Sequence, residues 1–110
     1  MKLKDLVEEL SIEVKTCQEG LENEVTGAYV SDLLSDVMGN SKKGNIWITL
    51  QAHLNIVAVA SHANLAGIII VGGRQIQDNI LQKAEAEKVT IATTPLPAFE
   101  AAGRLYQLLK

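Results

Sequence analysis

The N-terminal part of the chain alternates between short segments with helical and strand-like spacing of apolar residues. Four apolar residues recur at the i, i+3, i+4, i+7 spacing of one helix face: Leu3, Leu6, Val7 and Leu10. Residues 11–16 alternate apolar with polar positions as a strand does, and residues 24–30 form a second such segment after a turn at Gly20. This pattern predicts a first helix followed by two short strands.

Residues 31–40 predict the next helix, which presents Leu33, Leu34, Val37 and Met38 on its apolar side. Ser31 or Asp32 stands where a helix N-cap is expected, and Gly39-Asn40 provides the stop.

From residue 46 onward, strands and helices alternate regularly. The predicted strands are 46–50, 67–71 and 89–93, and the predicted helices are 55–64, 76–88 and 98–109. Since a β-α-β crossover is almost always right-handed, these strands should lie parallel in one sheet. The predicted fold class is α/β: a three-layer, mostly parallel β-sheet flanked by helices, with an N-terminal helix and short strands before it. We expect a single domain over residues 1–110.

The apolar residues of two predicted helices indicate how these helices pack. In the last helix one face is predicted to point inward, formed by Phe99, Ala102, Leu105, Tyr106 and Leu109. Residues 55–66, "NIVAVASHANLA", are apolar nearly all round, more than one sheet face covers in so small a domain. This surplus indicates a partner surface, and we expect a homodimer.

Composition limits the function classes. The apolar share is 47%, the net charge is −3, and the eight lysines are scattered, which argues against a nucleic-acid surface. The apolar runs are far shorter than the roughly 20 residues of a membrane helix, and the N-terminus does not resemble a signal peptide, so we expect a cytoplasmic protein without a membrane partner. Cys17 is the only cysteine, and with His53 and His62 it has no metal-ligand spacing, so neither a metal nor a cofactor is predicted.

Polar residues follow the ends of four predicted strands. Because ligands of open parallel sheets bind beyond the carboxyl ends of the strands, the loops there form one predicted rim. The candidate ligand-binding residues on this rim are Ser31, Asp32, Thr49, Gln51, His53, Gly72, Gly73, Arg74, Thr93 and Thr94.

Arg74 predicts that the ligand of the rim is an anion. It stands where a helix begins, and a guanidinium there favours a phosphate or carboxylate. The segment lacks both the G-x-G-x-x-G spacing of a dinucleotide fold and the lysine of a P-loop. Simpler structural roles stay open. Gly72-Gly73 fits a tight turn, and Ser31, Asp32 and Asn55 fit helix N-caps.

A catalytic role is the less favoured interpretation of the same residues. Asp32 and His53 could form a proton-transfer pair across the rim, but nothing in their spacing demands it. We expect no enzyme activity and assign no catalytic residue.

Three longer segments resemble the DRTGG domain family over essentially the whole chain: "EVTGAYVSDLLSDVM", "GNIWITLQAHLNIVAVA" and "LAGIIIVGGR". Similar domains occur beside CBS modules in regulated pyrophosphatases, in some phosphotransacetylases and as the N-terminal domain of HPr kinase/phosphorylase. The resemblance implies a regulatory α/β module without catalytic machinery, often engaged in dimer contacts. Gly72 and Gly73 correspond to the family's glycine pair, whereas Val71 stands where its threonine would be.

Three functional hypotheses follow. The first is a non-catalytic, ligand-sensing regulatory module, homodimeric, that binds a small anionic metabolite or nucleotide at the rim. The second is an accessory protein-interaction subunit without a small ligand; the resemblance suggests iron-only hydrogenase components or anti-sigma-type kinases as partners. The third is an enzyme that uses Asp32 and His53.

Overall fold

The computed structural model describes residues 1–110 and contains one five-stranded sheet. The strands are β1 (Glu13–Val14), β2 (Gly27–Val30), β3 (Asn45–Thr49), β4 (Gly67–Ile70) and β5 (Ile91–Thr93). The α-helices are α1 (Leu34–Asn40), α2 (Asn55–Ala63), α3 (Asp78–Ala86) and α4 (Ala98–Leu109), and two 3-10 helices span Leu3–Leu6 and Gln18–Glu22.

The strand order is β1-β5-β4-β3-β2, with β2 to β5 parallel and β1 antiparallel to β5. Each step from β2 to β5 moves in the same direction, so right-handed crossovers place α1, α2 and α3 together on one face. The core on that face joins Val37, Ile56 and Ile80 of these helices to Trp47 and Ile68 of the sheet.

The opposite face of the sheet is covered by α4 and the N-terminal segment. Its core joins Leu3, Leu6 and Leu105 to Ile46 and Ile69 of the central strands. The predicted three-layer α/β fold with a mostly parallel sheet is therefore confirmed.

The central strands β3 and β4 are buried on both faces, which explains the isoleucines Ile46, Ile48 and Ile68–Ile70 in them. Ile46 and Ile48 point towards α4, whereas Trp47 points towards the other helix layer. The indole of Trp47 donates a 2.8 Å hydrogen bond to the backbone oxygen of Ser31, which fixes the end of β2.

The N-terminal helix is shorter than its apolar spacing predicts. A 3-10 helix covers Leu3–Leu6 and turns follow it, up to Ser11 at a φ of 51°. Leu3, Leu6 and Leu10 are nevertheless buried, so the inward face was predicted correctly although the helix type was not.

The predicted helix N-caps are wrong. The N-cap of α1 is Leu33, whose N–H donates to the hydroxyl of Ser31, and Asn55 is already the first residue of α2. Asp32 does not cap α1 because its carboxylate bonds to β3 and the residue after it.

The predicted inward face of α4 is wrong in part. Ala101 and Leu105 are buried, but Phe99 is 92% exposed and Tyr106 is 65% exposed. The helix is rotated so that the small residue Ala101, one turn before Leu105, meets the sheet, which leaves the two aromatics at its side.

The apolar composition of α2 is satisfied within the chain. Ile56, Val57 and Val59 are buried against the sheet and the neighbouring helices, while its exposed positions are Ala58, Ser61 and polar residues. The sequence suggested a surplus of apolar surface on α2, and this prediction is wrong. The large exposed aromatic side chains lie on α4 instead. None of the helices is long and apolar enough to cross a membrane.

Candidate functional site

The rim residues separate into two clusters, and the first ties the loop after β2 to the loop after β3. The carboxylate of Asp32 accepts hydrogen bonds from the Thr49 hydroxyl at 2.7 Å and from the Leu50 N–H at 2.8 Å. The Gln51 side chain donates to the backbone oxygen of Asp32 at 3.0 Å, and the Gln51 N–H donates to the Thr49 hydroxyl at 3.0 Å. These polar groups satisfy one another, so the cluster works as a structural clasp.

His53 stands apart from this clasp. It is exposed in the loop before α2, and its imidazole forms no hydrogen bond with Asp32, whose carboxylate is held by Thr49 and Leu50. The geometry therefore gives a His–Asp proton-transfer pair no support.

The second cluster is a pocket of about 270 Å³ at the ends of β4 and β5. It brings together four of the predicted site residues, Gly73, Arg74, Thr93 and Thr94. The other lining residues are Glu13, Lys15, Gln75, Ile76, Leu81 and Pro95.

The glycine pair forms a tight turn that joins two loops. Gly72 has a φ of 78° and Gly73 a φ of 69°, both in the left-handed region that glycine tolerates. Their N–H groups donate to the backbone oxygens of Leu96 at 2.8 Å and Thr94 at 3.0 Å. Because both donors are engaged, the glycines offer no free N–H group to an anion in this structure.

The residues directly after the glycines keep their donors free. The backbone N–H groups of residues 74–77 donate to no acceptor within the chain, and three of these residues, Arg74, Gln75 and Ile76, line the pocket. Free backbone N–H groups beside a guanidinium are potential hydrogen-bond donors to an anion. The free N–H groups therefore begin at Arg74, directly after the glycine pair.

The charges of the pocket favour an anion at Arg74. The ammonium of Lys15 is paired with the Glu13 carboxylate at 2.9 Å, whereas the guanidinium of Arg74 forms no ion pair and no hydrogen bond within the chain. Arg74 is exposed, so its side chain can turn towards a bound group. The hydroxyl of Thr94 is buried and donates to the backbone oxygen of Leu10 at 2.7 Å, which makes it a structural group.

Sequence reasoning missed Glu13 and Lys15. Glu13 lies on β1, which runs antiparallel to β5 and pairs Glu13 with Thr93, and Lys15 directly follows the strand. Because β1 pairs with β5, Glu13 and Lys15 reach the pocket although they precede the four parallel strands β2 to β5 in the chain. Their alternation with apolar residues predicted a strand, but it gave no information on the neighbouring strand.

The family model of the DRTGG domain matches residues 5–108, and the chain belongs to this family. The resemblance inferred from the three sequence segments is therefore confirmed.

A solved structure with a similar fold is the crystal structure of the CBS and DRTGG domains of the regulatory region of Clostridium perfringens pyrophosphatase, complexed with its activator diadenosine tetraphosphate. The TM-score is 0.75 at 20% sequence identity, over 96% of this chain and 46% of that chain. The chain thus spans about half the length of the structure that it matches. No curated protein matches the chain.

Proposed function

We propose that the chain is a non-catalytic regulatory module that senses a small anionic metabolite or nucleotide in the pocket at Arg74. One observation carries the proposal: an arginine without an ion pair stands at the start of a segment whose backbone N–H groups, residues 74–77, are also free. A guanidinium and oriented N–H groups together offer a phosphate both charge and directed hydrogen bonds.

The size of the pocket limits the ligand. Small-molecule sites have volumes of roughly 300–1,000 Å³, and this pocket of about 270 Å³ lies just below that range. It suits a phosphate group or a small phosphorylated metabolite. A nucleotide would place its phosphate against Arg74 and leave its base outside.

The comparisons support a regulatory role. The pyrophosphatase fragment with the similar fold is a regulatory region, and it was crystallised with a nucleotide activator. At 20% identity the likeness concerns the fold, so the ligand of that protein serves here as a reason to test nucleotides first.

The proposed unit is the single domain of residues 1–110, acting as a homodimer in the cytoplasm. Cys17 is buried and unpaired, which fits a reducing compartment. A second candidate function, an accessory subunit that binds a partner protein, is favoured by the exposed aromatics Phe99 and Tyr106.

Thermal unfolding in the presence of nucleotides and phosphorylated metabolites tests the proposal. A ligand at ten times its Kd should raise the Tm by several degrees, because binding to the folded state alone stabilises it by mass action. Arg74→Ala should abolish the shift and leave the Tm without ligand nearly unchanged, since Arg74 is exposed.

Arg104→Ala is the matched control. Arg104 is the other arginine, it is paired with Glu100 at 2.6 Å, and it lies on α4. Its replacement should preserve the ligand-induced shift. If no nucleotide or phosphorylated metabolite raises the Tm, or if Arg74→Ala retains the shift, the ligand-sensing proposal is wrong.

A further inference from the structure

The largest groove of the molecule lies between α4 and the edge strand β2. It has a volume of about 690 Å³. Gly27, Ala28, Ala102 and Gly103 keep it wide, and Phe99 and Tyr106 stand along it. Lys110 is the one charged side chain in its lining, so its occupant must be largely apolar.

The strand beside the groove is an unprotected sheet edge. β2 pairs with β3 on one side and with no strand on the other. Exposed edges in native proteins are usually blocked by charged residues, proline or a covering element. The four residues of β2 (Gly27–Val30) include neither a charge nor a proline, and Val30 is 52% exposed.

The face formed by β2 and α4 is complementary to itself. Phe99 protrudes with 92% of its surface exposed, and the adjacent groove, narrowed by no side chain at Gly27 or Gly103, is wide enough to take an aromatic ring. A two-fold contact requires that one surface present both the protruding and the receiving part. The groove lining contains no acidic side chain, so clustered carboxylates do not repel identical copies there.

We propose that a second copy of the chain docks on this face, so that Phe99 of each copy fills the groove of the other. The two-fold axis stands perpendicular to the sheet. The β2 edges then run antiparallel beside each other, and the two α4 helices lie side by side on the same face of the joined sheets. This inference names the interface of the proposed homodimer and is independent of the pocket at Arg74.

The exposed aromatics supply a substantial part of the area that a dimer interface needs. Phe99 and Tyr106 together expose roughly 300 Å² when each aromatic side chain is counted at about 200 Å². A standard interface buries about 800 Å² per partner. The two aromatics supply more than a third of that area, and the half-exposed Val30 on the β2 edge adds to it.

Gly103 offers a test that does not damage the fold. A side chain placed on Gly103 meets no atom within 4 Å, and the residue lies in the middle of α4. Gly103→Lys therefore puts a charge into the groove without a clash, and it replaces a poor helix former by a good one. Gly39→Lys is the matched control, because Gly39 is another helix glycine in open space, on α1 and away from the groove.

Sedimentation equilibrium over a range of protein concentrations measures the outcome. Wild type and Gly39→Lys should sediment as a dimer, twice the 11.9 kDa of one chain. Gly103→Lys and Phe99→Glu should weaken the dimer by about a hundredfold or more, as hot-spot replacements do, while circular dichroism shows an intact fold.

A wild-type protein that is monomeric at several hundred micromolar would overturn the inference, and so would a Gly103→Lys variant that dimerises as tightly as wild type. The first result removes the homodimer, and the second moves it to another face. The ligand-induced Tm shift separates this test from the proposed function. The groove lies at β2 and the Arg74 pocket at β1 and β5, on opposite edges of the sheet, so Gly103→Lys should keep the shift.

Discussion

The carboxylate of Asp32 accepts a 2.7 Å hydrogen bond from the buried hydroxyl of Thr49, which joins the ends of two parallel strands. The same carboxylate oxygen accepts the N–H of Leu50. An acidic residue that looked like a helix cap or a catalytic acid is therefore occupied in holding two loops together.

Asp32→Ala should destabilise the protein by about 1–2 kcal/mol, because it leaves the hydroxyl of Thr49 and the N–H of Leu50 without their acceptor. Asp32→Asn keeps an acceptor oxygen and should cost less. Urea denaturation at pH 7 measures both. An unchanged urea midpoint for Asp32→Ala would show that the clasp does not contribute to stability. A loss of anion binding in Asp32→Ala would show that the clasp and the Arg74 pocket are not independent.

Replacing a glycine by alanine should have opposite effects on stability in the turn after β4 and in α4. Gly72→Ala and Gly73→Ala should each cost about 1–2 kcal/mol, because both positions have positive φ. Gly72 should be the worse of the two, since its added Cβ lies 3.2 Å from a Leu50 methyl group, whereas that of Gly73 has 3.9 Å to Pro95. Gly103→Ala should instead stabilise by up to about 1 kcal/mol, because α4 is helical there and nothing is within 4 Å.

Thermal or urea unfolding of these three alanine variants checks the order. If Gly72→Ala and Gly103→Ala changed the stability equally, that result would contradict the left-handed backbone conformation of Gly72 after β4.

Acid stability should depend on the contact between Tyr29 and Asp36. The Tyr29 hydroxyl donates to the Asp36 carboxylate at 2.8 Å, and this hydrogen bond is the main reason that the pKa of Asp36 lies below its usual value. A carboxyl with a lowered pKa in the folded state stabilises the protein above its unfolded-state pKa of about 4. That stabilisation is lost as the pH falls through the folded-state pKa.

Tyr29→Phe should therefore lose stability at neutral pH and show a weaker decline of stability below about pH 4 than wild type. Urea midpoints between pH 7 and the acid limit measure the two curves. Tyr106→Phe is the control, because the exposed Tyr106 has no such contact and its curve should follow wild type. A decline in Tyr29→Phe that is as steep as in wild type would assign the acid sensitivity to other carboxyls.

The sequence predicted most of the fold because the parallel strands have a strong signal. Residues 67–71 are a continuous apolar run that only a strand buried on both faces explains, and β3 has the same character. The rotation of α4 was not predictable in the same way. Its apolar positions cover two adjacent stripes, and only the position of the helix over the sheet decides that Ala101 is buried and Phe99 is not.

The residues that line the proposed pocket were predicted only in part. The order of the parallel strands brings Arg74 beside Thr93 and Thr94, as predicted. Lys15 lies at the pocket because β1 pairs antiparallel with β5, and no local sequence pattern reveals that pairing. The engagement of the glycine N–H groups by Leu96 and Thr94 depends likewise on the path of a distant loop. Side-chain identity therefore located the region, and long-range backbone contacts determined which groups in it are free.

The central claim is that free backbone N–H groups after the glycine turn, together with Arg74, bind an anion. The most direct measurement is a titration of ¹⁵N-labelled protein with a phosphorylated ligand, followed by amide NMR shifts. The amide shifts should be largest at residues 74–77 and should saturate with ligand concentration. Arg74→Ala should abolish them. Shifts confined to other parts of the chain, or none at millimolar nucleotide and phosphate, would contradict it.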